Sequence, residues 1–165
     1  MSLPMLFGVH SSRIVSRLDS VLIEAAIHGD DRSVLSVLEK GASVHAKNDQ
    51  ALRSASQAGF IRIVSLLLDH GANLHAEYDE ALRSSAREGH IGTTRILLRR
   101  GADPHALDDA ALKVSALRGH IEVVRLLIAA TPFRRSSVEA AIREAAHYSF
   151  KTTIEILMSA RIAPG

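Results

Sequence analysis

The segment Gly71 to Arg100 recurs thirty residues upstream as Gly41 to His70 and thirty residues downstream as Gly101 to Ala130, with no gap between copies. A fixed period of this length marks a chain built by stacking one supersecondary unit, and it constrains the fold more than any local signal does. Glycines recur at 29, 59, 89 and 119 and again at 41, 71 and 101, and aspartates at 19, 49, 79 and 109. Two fainter copies flank the central three. Asp19 to Lys40 keeps Leu22, Ala25, Ala26, Gly29, Val34 and Leu38 in register, and Glu139 to Met158 keeps Ile142, Ala145, Ala146, Ile154, Leu157 and Met158, with Ser149 in the glycine position.

Each unit reads as two short antiparallel helices. Asp79 is expected to be an N-cap, its carboxylate accepting the first orphan backbone N–H groups, with Ala81, Leu82, Ser85 and Ala86 following at helical spacing. Gly89 ends the first helix in a left-handed conformation that a residue without Cβ adopts easily. The second helix is expected from Ile91 to Arg99, packed through Ile91, Thr94, Ile96, Leu97 and Leu98, with Gly101 closing it. Helices of about ten residues fall short of the ~12–15 at which an isolated helix becomes marginal in water, so the units must support one another. The expected fold is an all-α solenoid of about five helix-turn-helix repeats, near 12–40, 41–70, 71–100, 101–130 and 131–162, forming a single domain over 1–165.

The pattern G-A-x-x-H-A-x-x-D-x-A-L-R-x-x-A-x-x-G-H-I-x-x-x-x-x-L-L closely resembles the ankyrin repeat from about Ser12 to Ile162. The common unit is ~33 residues long with T-P-L-H opening its first helix. Here the loop between Ala46 and Leu52 is about three residues shorter, and Asp-Gln-Ala-Leu-Arg replaces that tetrapeptide. The chain is similar in this respect to the short-finger ankyrin repeats abundant in giant DNA viruses and some lower eukaryotes, which implies a tight turn in place of a β-hairpin finger.

Composition narrows the function classes. Hydrophobic residues at 47% suffice for a core spread along a row, and aromatics at 4% suit one built of Ala, Leu, Ile and Val. With no cysteine, disulfide and thiolate chemistry are excluded, in keeping with an intracellular protein, cytoplasmic or nuclear. Twenty basic against 18 acidic residues leave +2, too little for a global field that steers polyanions. Met1 to Val9 has no basic leader and is interrupted by Pro4, so it reads neither as a signal peptide nor as a membrane span. Ser12 to Leu18 is expected to form a short capping turn, with Leu6 and Phe7 covering the core end. At the other end Thr131 to Ser137 is a degenerate inter-repeat loop, and Lys151 replaces the apolar Ile61, Ile91 and Ile121 as a polar cap requires.

Several constellations invite chemistry and resolve into structure. His45, His75 and His105 form a row joined by His90 and His120. Equivalent residues of stacked helices lie about 8–10 Å apart, too far to share a zinc held at ~2.0–2.1 Å. Hydrogen bonding in the loops is the expectation, with no metal and no cofactor. Arg53, Arg83, Lys113 and Arg143 make a basic stripe, each four residues after Asp49, Asp79, Asp109 or Glu139, which favours a local acid–base ladder over the alternative of an anion-binding groove. Arg62, Arg95, Arg99, Arg100 and Arg125, with Arg134 and Arg135, form a second basic cluster on the outer helices, the basis of an alternative reading as a nucleic-acid or polyanion binder. Few aromatics accompany it to stack on bases. No Gly-rich phosphate loop, G-x-S-x-G elbow, H-E-x-x-H or Cys-His pair occurs, so no enzyme is expected.

The remaining signal is where the copies disagree. At the end of the first helix the pairs are Gln57-Ala58, Arg87-Glu88, Leu117-Arg118 and His147-Tyr148, and in the preceding turn Lys47-Asn48, Glu77-Tyr78 and Leu107-Asp108. The resemblance implies that these positions line a concave surface that binds a partner protein. Tyr78, Arg87, Glu88, Leu107, Leu117, Arg118, His147 and Tyr148 are the candidate contacts of a monomer without catalytic activity. Leu107 and Leu117 put apolar side chains where other copies are polar, and Arg and Tyr around them complete the composition of an interface hot region.

Overall fold

A computed structural model describes residues 7–160, with side chains described from Ser16 onward. Every element among them is a helix: α1 (Phe7–His28), α2 (Asp31–Glu39), α3 (Ala46–Ala58), α4 (Ile61–Asp69), α5 (Ala76–Arg87), α6 (Ile91–Arg99), α7 (Ala106–Leu117), α8 (Ile121–Ala130), α9 (Arg135–His147) and α10 (Lys151–Met158). The odd-numbered helices pack on one another in chain order as an inner row, the even-numbered ones as an outer row, and each inner helix packs on the outer helix that follows it. This is the all-α solenoid expected from the period.

The repeat positions explain the stacking. Ala51, Ala81, Ala111 and Ala141 are buried between adjacent inner helices, where a side chain of one carbon lets the backbones approach closely. Leu22, Leu52, Leu82 and Leu112 form one fully buried column, and Leu67, Leu97, Leu127 and Leu157 form another in the outer row. Each such side chain contributes about 1.5–3 kcal/mol through burial, and because the columns cross unit boundaries the contribution exists only in the stack. The third unit varies the core with a polar pair: Ser85 and Thr94 replace Ala55 and Val64 and bond to each other at 3.0 Å. Each hydroxyl has a helix carbonyl within reach as well, Leu82 O for Ser85 and His90 O for Thr94, each at 3.0 Å, so one hydroxyl donates to its carbonyl and accepts the proton of the other.

The first helix of each unit ends as the glycines predict. Gly59, Gly89 and Gly119 lie at φ 80, 76 and 70, and Ser149, in the glycine position of the last unit, adopts φ 60. The first unit differs from expectation. Ser12 to Leu18 is not a capping turn but part of the continuous helix α1, and Asp19 therefore sits in mid-helix. Leu6 and the side chain of Phe7, expected to cover the core end, lie outside the described residues. At the far end Phe133 is fully buried in the degenerate loop, its ring 5.0 Å from that of His105. Lys151 is exposed as a cap residue is expected to be, but Met158, in the column of the partly covered Leu68, Leu98 and Ile128, is 72% exposed.

Candidate functional site

The turn that opens each central unit is left-handed for three residues in succession: Lys47-Asn48-Asp49, Glu77-Tyr78-Asp79 and Leu107-Asp108-Asp109 all have φ between 49 and 61. The shortened loop is thus a tight turn, as the resemblance implied. Left-handed backbone brings Cβ close to the following carbonyl at about 1–2 kcal/mol per residue, so such a turn persists only where the surroundings hold it. Two devices do so.

The first is the buried aspartate. The Oδ1 of Asp49 accepts the backbone N–H of Asn73 at 2.7 Å, and that of Asp79 accepts the N–H of Asp103 at 2.9 Å. Asp19, although mid-helix, does the same for Ser43 at 2.6 Å. The aspartates therefore stitch each unit to the next and do not cap their own helices, which corrects the sequence expectation. Their second partner is the histidine four residues earlier: His45, His75 and His105 bring Nδ1 to 3.0, 3.1 and 2.6 Å from Asp49, Asp79 and Asp109. Among the described residues no three His, Asp or Glu converge as a metal site would require.

The second device is the guanidinium. Arg53 donates Nε to Asn48 O at 3.1 Å and Nη2 to Lys47 O at 3.2 Å, and Arg83 donates Nε to Tyr78 O at 3.0 Å and Nη2 to Glu77 O at 2.8 Å. The expected ladder of Asp49–Arg53 and Asp79–Arg83 pairs is not formed, because the aspartates are turned inward and the arginines clamp the turn carbonyls. Lys113 has no fork for this task and bonds the Asp108 carboxylate at 2.6 Å, holding that carboxyl below the ordinary carboxylate range. With the backbone pinned, the first two side chains of each turn face solvent: Tyr78 is 69% and Leu107 52% exposed.

The other variable row lies at the C-terminal ends of the inner helices, about 15 Å away at 1.5 Å per residue. Rings from the next unit fix it. His90 Nε2 donates to Gln57 O at 3.0 Å and His120 Nε2 to Arg87 O at 2.9 Å, the rings lying against Gly59 and Gly89. Arg87 and Glu88 pair with each other at 2.9 Å, and His147 and Tyr148 meet edge to face at 4.9 Å, with Tyr148 55% exposed. Leu117 and Arg118 end α7, which packs between α5 and α9, so the row reads Arg87-Glu88, Leu117-Arg118, His147-Tyr148 across three neighbouring helices. Tyr78 and Leu107 belong to the turn row and are not brought beside them.

Sequence comparison missed the start of this row. Ile27, aligned with Gln57, Arg87 and Leu117, is 41% exposed and lines a depression of about 600 Å³ with Ser54, Gln57, Ala58, Glu88 and His90. Extending the thirty-residue register one copy upstream would have found it. On the outer helices the basic cluster is exposed throughout; Arg62 pairs with Asp31 at 3.1 Å and Arg100 with Asp69 at 2.7 Å, whereas among the described residues Arg95, Arg99 and Arg125 form no ion pair. Among the described residues no helix is long and apolar enough to cross a membrane.

The family profile described as ankyrin repeats, in three copies, matches residues 22–108, more than half of the chain, and takes in the left-handed turns of the second and third units with the first residues of the fourth. No curated protein matches the chain. Ankyrin repeats are in general protein–protein interaction modules and typically non-catalytic scaffolds. With the glycine-closed helix pairs and the profile match in agreement, the chain belongs to the ankyrin-repeat family.

Proposed function

We propose that this protein is a non-catalytic, monomeric, intracellular interaction module of one domain that binds a partner protein on its inner-helix and turn face. The supporting observation is the division between its positions. The buried columns repeat from unit to unit, whereas Ile27, Tyr78, Leu107 and Tyr148 put exposed large side chains at the turns and inner-helix ends where the units differ; Leu35, Ile61 and Met158 are exposed in the outer row. Tyr78, Arg87, Glu88, Leu107, Leu117, Arg118, His147 and Tyr148 are the proposed contacts, with Leu117 and Tyr148 as the apolar centre of the helix-end row. Aromatic and arginine side chains around an apolar core are the usual carriers of interface energy.

The test is affinity capture from the native host with wild type and with Leu117→Gln/Tyr148→Ala, both checked for equal melting temperature and both treated with nuclease. Partners retained by wild type and lost by the variant support the reading. Equal capture by a stable variant moves the interface elsewhere, and capture that disappears with nuclease favours the outer-helix cluster and a nucleic acid.

A further inference from the structure

Repetition makes a missing partner visible. Arg53 uses all three of its donor edges: two on the turn carbonyls, and the third, Nη1, on Glu80 of the next inner helix at 2.8 Å. Arg83 is clamped in the same way on the carbonyls of Tyr78 and Glu77, but the residue of the next helix in the position of Glu80 is Ala110. Among the described residues Arg83 Nη1 has no hydrogen-bond partner. Each nearby carboxylate is already engaged: Glu77 by Asn48, Glu80 by Arg53, Asp108 by Lys113, and the buried Asp79 by the Asp103 N–H and His75. A half-buried guanidinium, fixed by two backbone bonds, thus meets Ala110 at the register position where Arg53 meets the Glu80 carboxylate. On the neighbouring helix α7 Val114 and Leu117 are both partly exposed, and one helix further on α9 carries Ala140 and the exposed Arg143.

We infer that the bound partner presents an acidic segment, one of whose Asp or Glu carboxylates sits over Ala110 on Arg83 Nη1, with an apolar side chain a helical turn away on Val114 and Leu117. This rests on the inner-helix reading above and names the chemistry that the surface selects. The site is preorganised, because the guanidinium does not have to be ordered when the carboxylate arrives, and a charge-assisted bond to a fixed fork is stronger and more directional than a neutral one. Glu80 on Arg53 is the intramolecular version of the same contact one unit earlier.

That precedent supplies a test in which the variant supplies the missing acid. Ala110→Glu places a carboxylate where Glu80 stands in the previous unit, at the start of a helix where negative charge is favourable. Ala110→Gln, matching Gln50 of the second unit, controls for size. Random twelve-residue peptides displayed on phage are selected against the full wild-type chain at low ionic strength, and enriched peptides are synthesised and titrated calorimetrically. Peptides sharing an Asp or Glu are expected, bound about tenfold more weakly by Ala110→Glu and nearly unchanged by Ala110→Gln. The tenfold loss corresponds to one charge-assisted hydrogen bond. Changing the shared acid to its amide should weaken binding to wild type and abolish the difference between the variants. Equal binding by Ala110→Glu and Ala110→Gln, with loss in Leu117→Gln, would overturn the acidic slot and leave the inner-helix face standing. Failure to enrich any peptide, or peptides indifferent to all three substitutions, would overturn both.

Discussion

Gly89→Ala tests the junction between units at a single carbon atom. At φ +76 the backbone is left-handed, which for a residue with Cβ costs about 1–2 kcal/mol. The added Cβ would also lie 2.6 Å from Nδ1 of His120, so the ring must move, and its hydrogen bond from Nε2 to Arg87 O moves with it. Losing that bond adds about 0.5–1.5 kcal/mol, for a total of about 1.5–3.5 kcal/mol. In a chain of this size each 1 kcal/mol shifts the melting temperature by about 2–4 °C, so a fall of roughly 3–14 °C is expected in thermal unfolding followed by circular dichroism. Gly101→Ala is the matched control, left-handed at φ +99 with nothing within 4 Å of the new Cβ, and should show the backbone cost alone. In a His120→Ala background Gly89→Ala should fall to the Gly101→Ala value, since the obstructing ring is gone. Equal effects of Gly89→Ala and Gly101→Ala with His120 present would refute the ring-on-glycine contact as a stacking element.

Asp79→Ala leaves the Asp103 N–H without its acceptor, and denaturant unfolding should show a loss of about 1–3 kcal/mol. An Asp79–Arg83 double-mutant cycle should give near-zero coupling; a clear coupling would restore the i, i+4 pair. Arg53→Lys removes the fork from the turn carbonyls and should destabilise by about 1 kcal/mol, whereas Lys113→Arg in the fourth unit supplies that fork and should stabilise; the opposite order would discount the clamp. Asp30, which caps α2, accepts the hydroxyl of Ser33 at 2.6 Å and its N–H at 3.0 Å, and these bonds hold its carboxyl below 3.8. Because the folded value is depressed, its contribution to stability is complete above 3.8 and declines as pH falls through the folded value. Carbon-detected NMR titration of Ser33→Ala, which keeps the backbone cap and removes the hydroxyl, should show Asp30 moving back toward 3.8, and no movement would mean that the hydroxyl does not bond the carboxylate.

What the sequence made legible follows from the range of the interactions. The helix pairs, their glycine ends and the Ala and Leu columns arise from local spacing multiplied by the period, and all stand where Gly59, Ala81 and Leu82 placed them. Asp79 was misread because a carboxylate three residues before Leu82 fits an N-cap equally well. Its real acceptor role spans 24 residues to Asp103, and no local spacing encodes that choice. Releasing Asp79 from Arg83 then frees the arginine for the turn carbonyls, so one misread partner produced the second. In the candidate site, the variable pairs could be read directly from the differences between aligned copies. The unmet edge of Arg83 could not, since it depends on Arg53 reaching across to Glu80 and on Ala110 failing to provide the same acid one unit later.

The most direct test of the central claim is amide hydrogen exchange on the full chain, free and saturated with a captured partner or an enriched peptide. Protection is expected at the turns around Tyr78 and Leu107 and at the inner-helix ends at 87–88, 117–118 and 147–148, with α4, α6 and α8 unchanged. Protection concentrated on α6 and α8 around Arg95, Arg99 and Arg125, with the inner-helix ends exchanging as in the free protein, would contradict it.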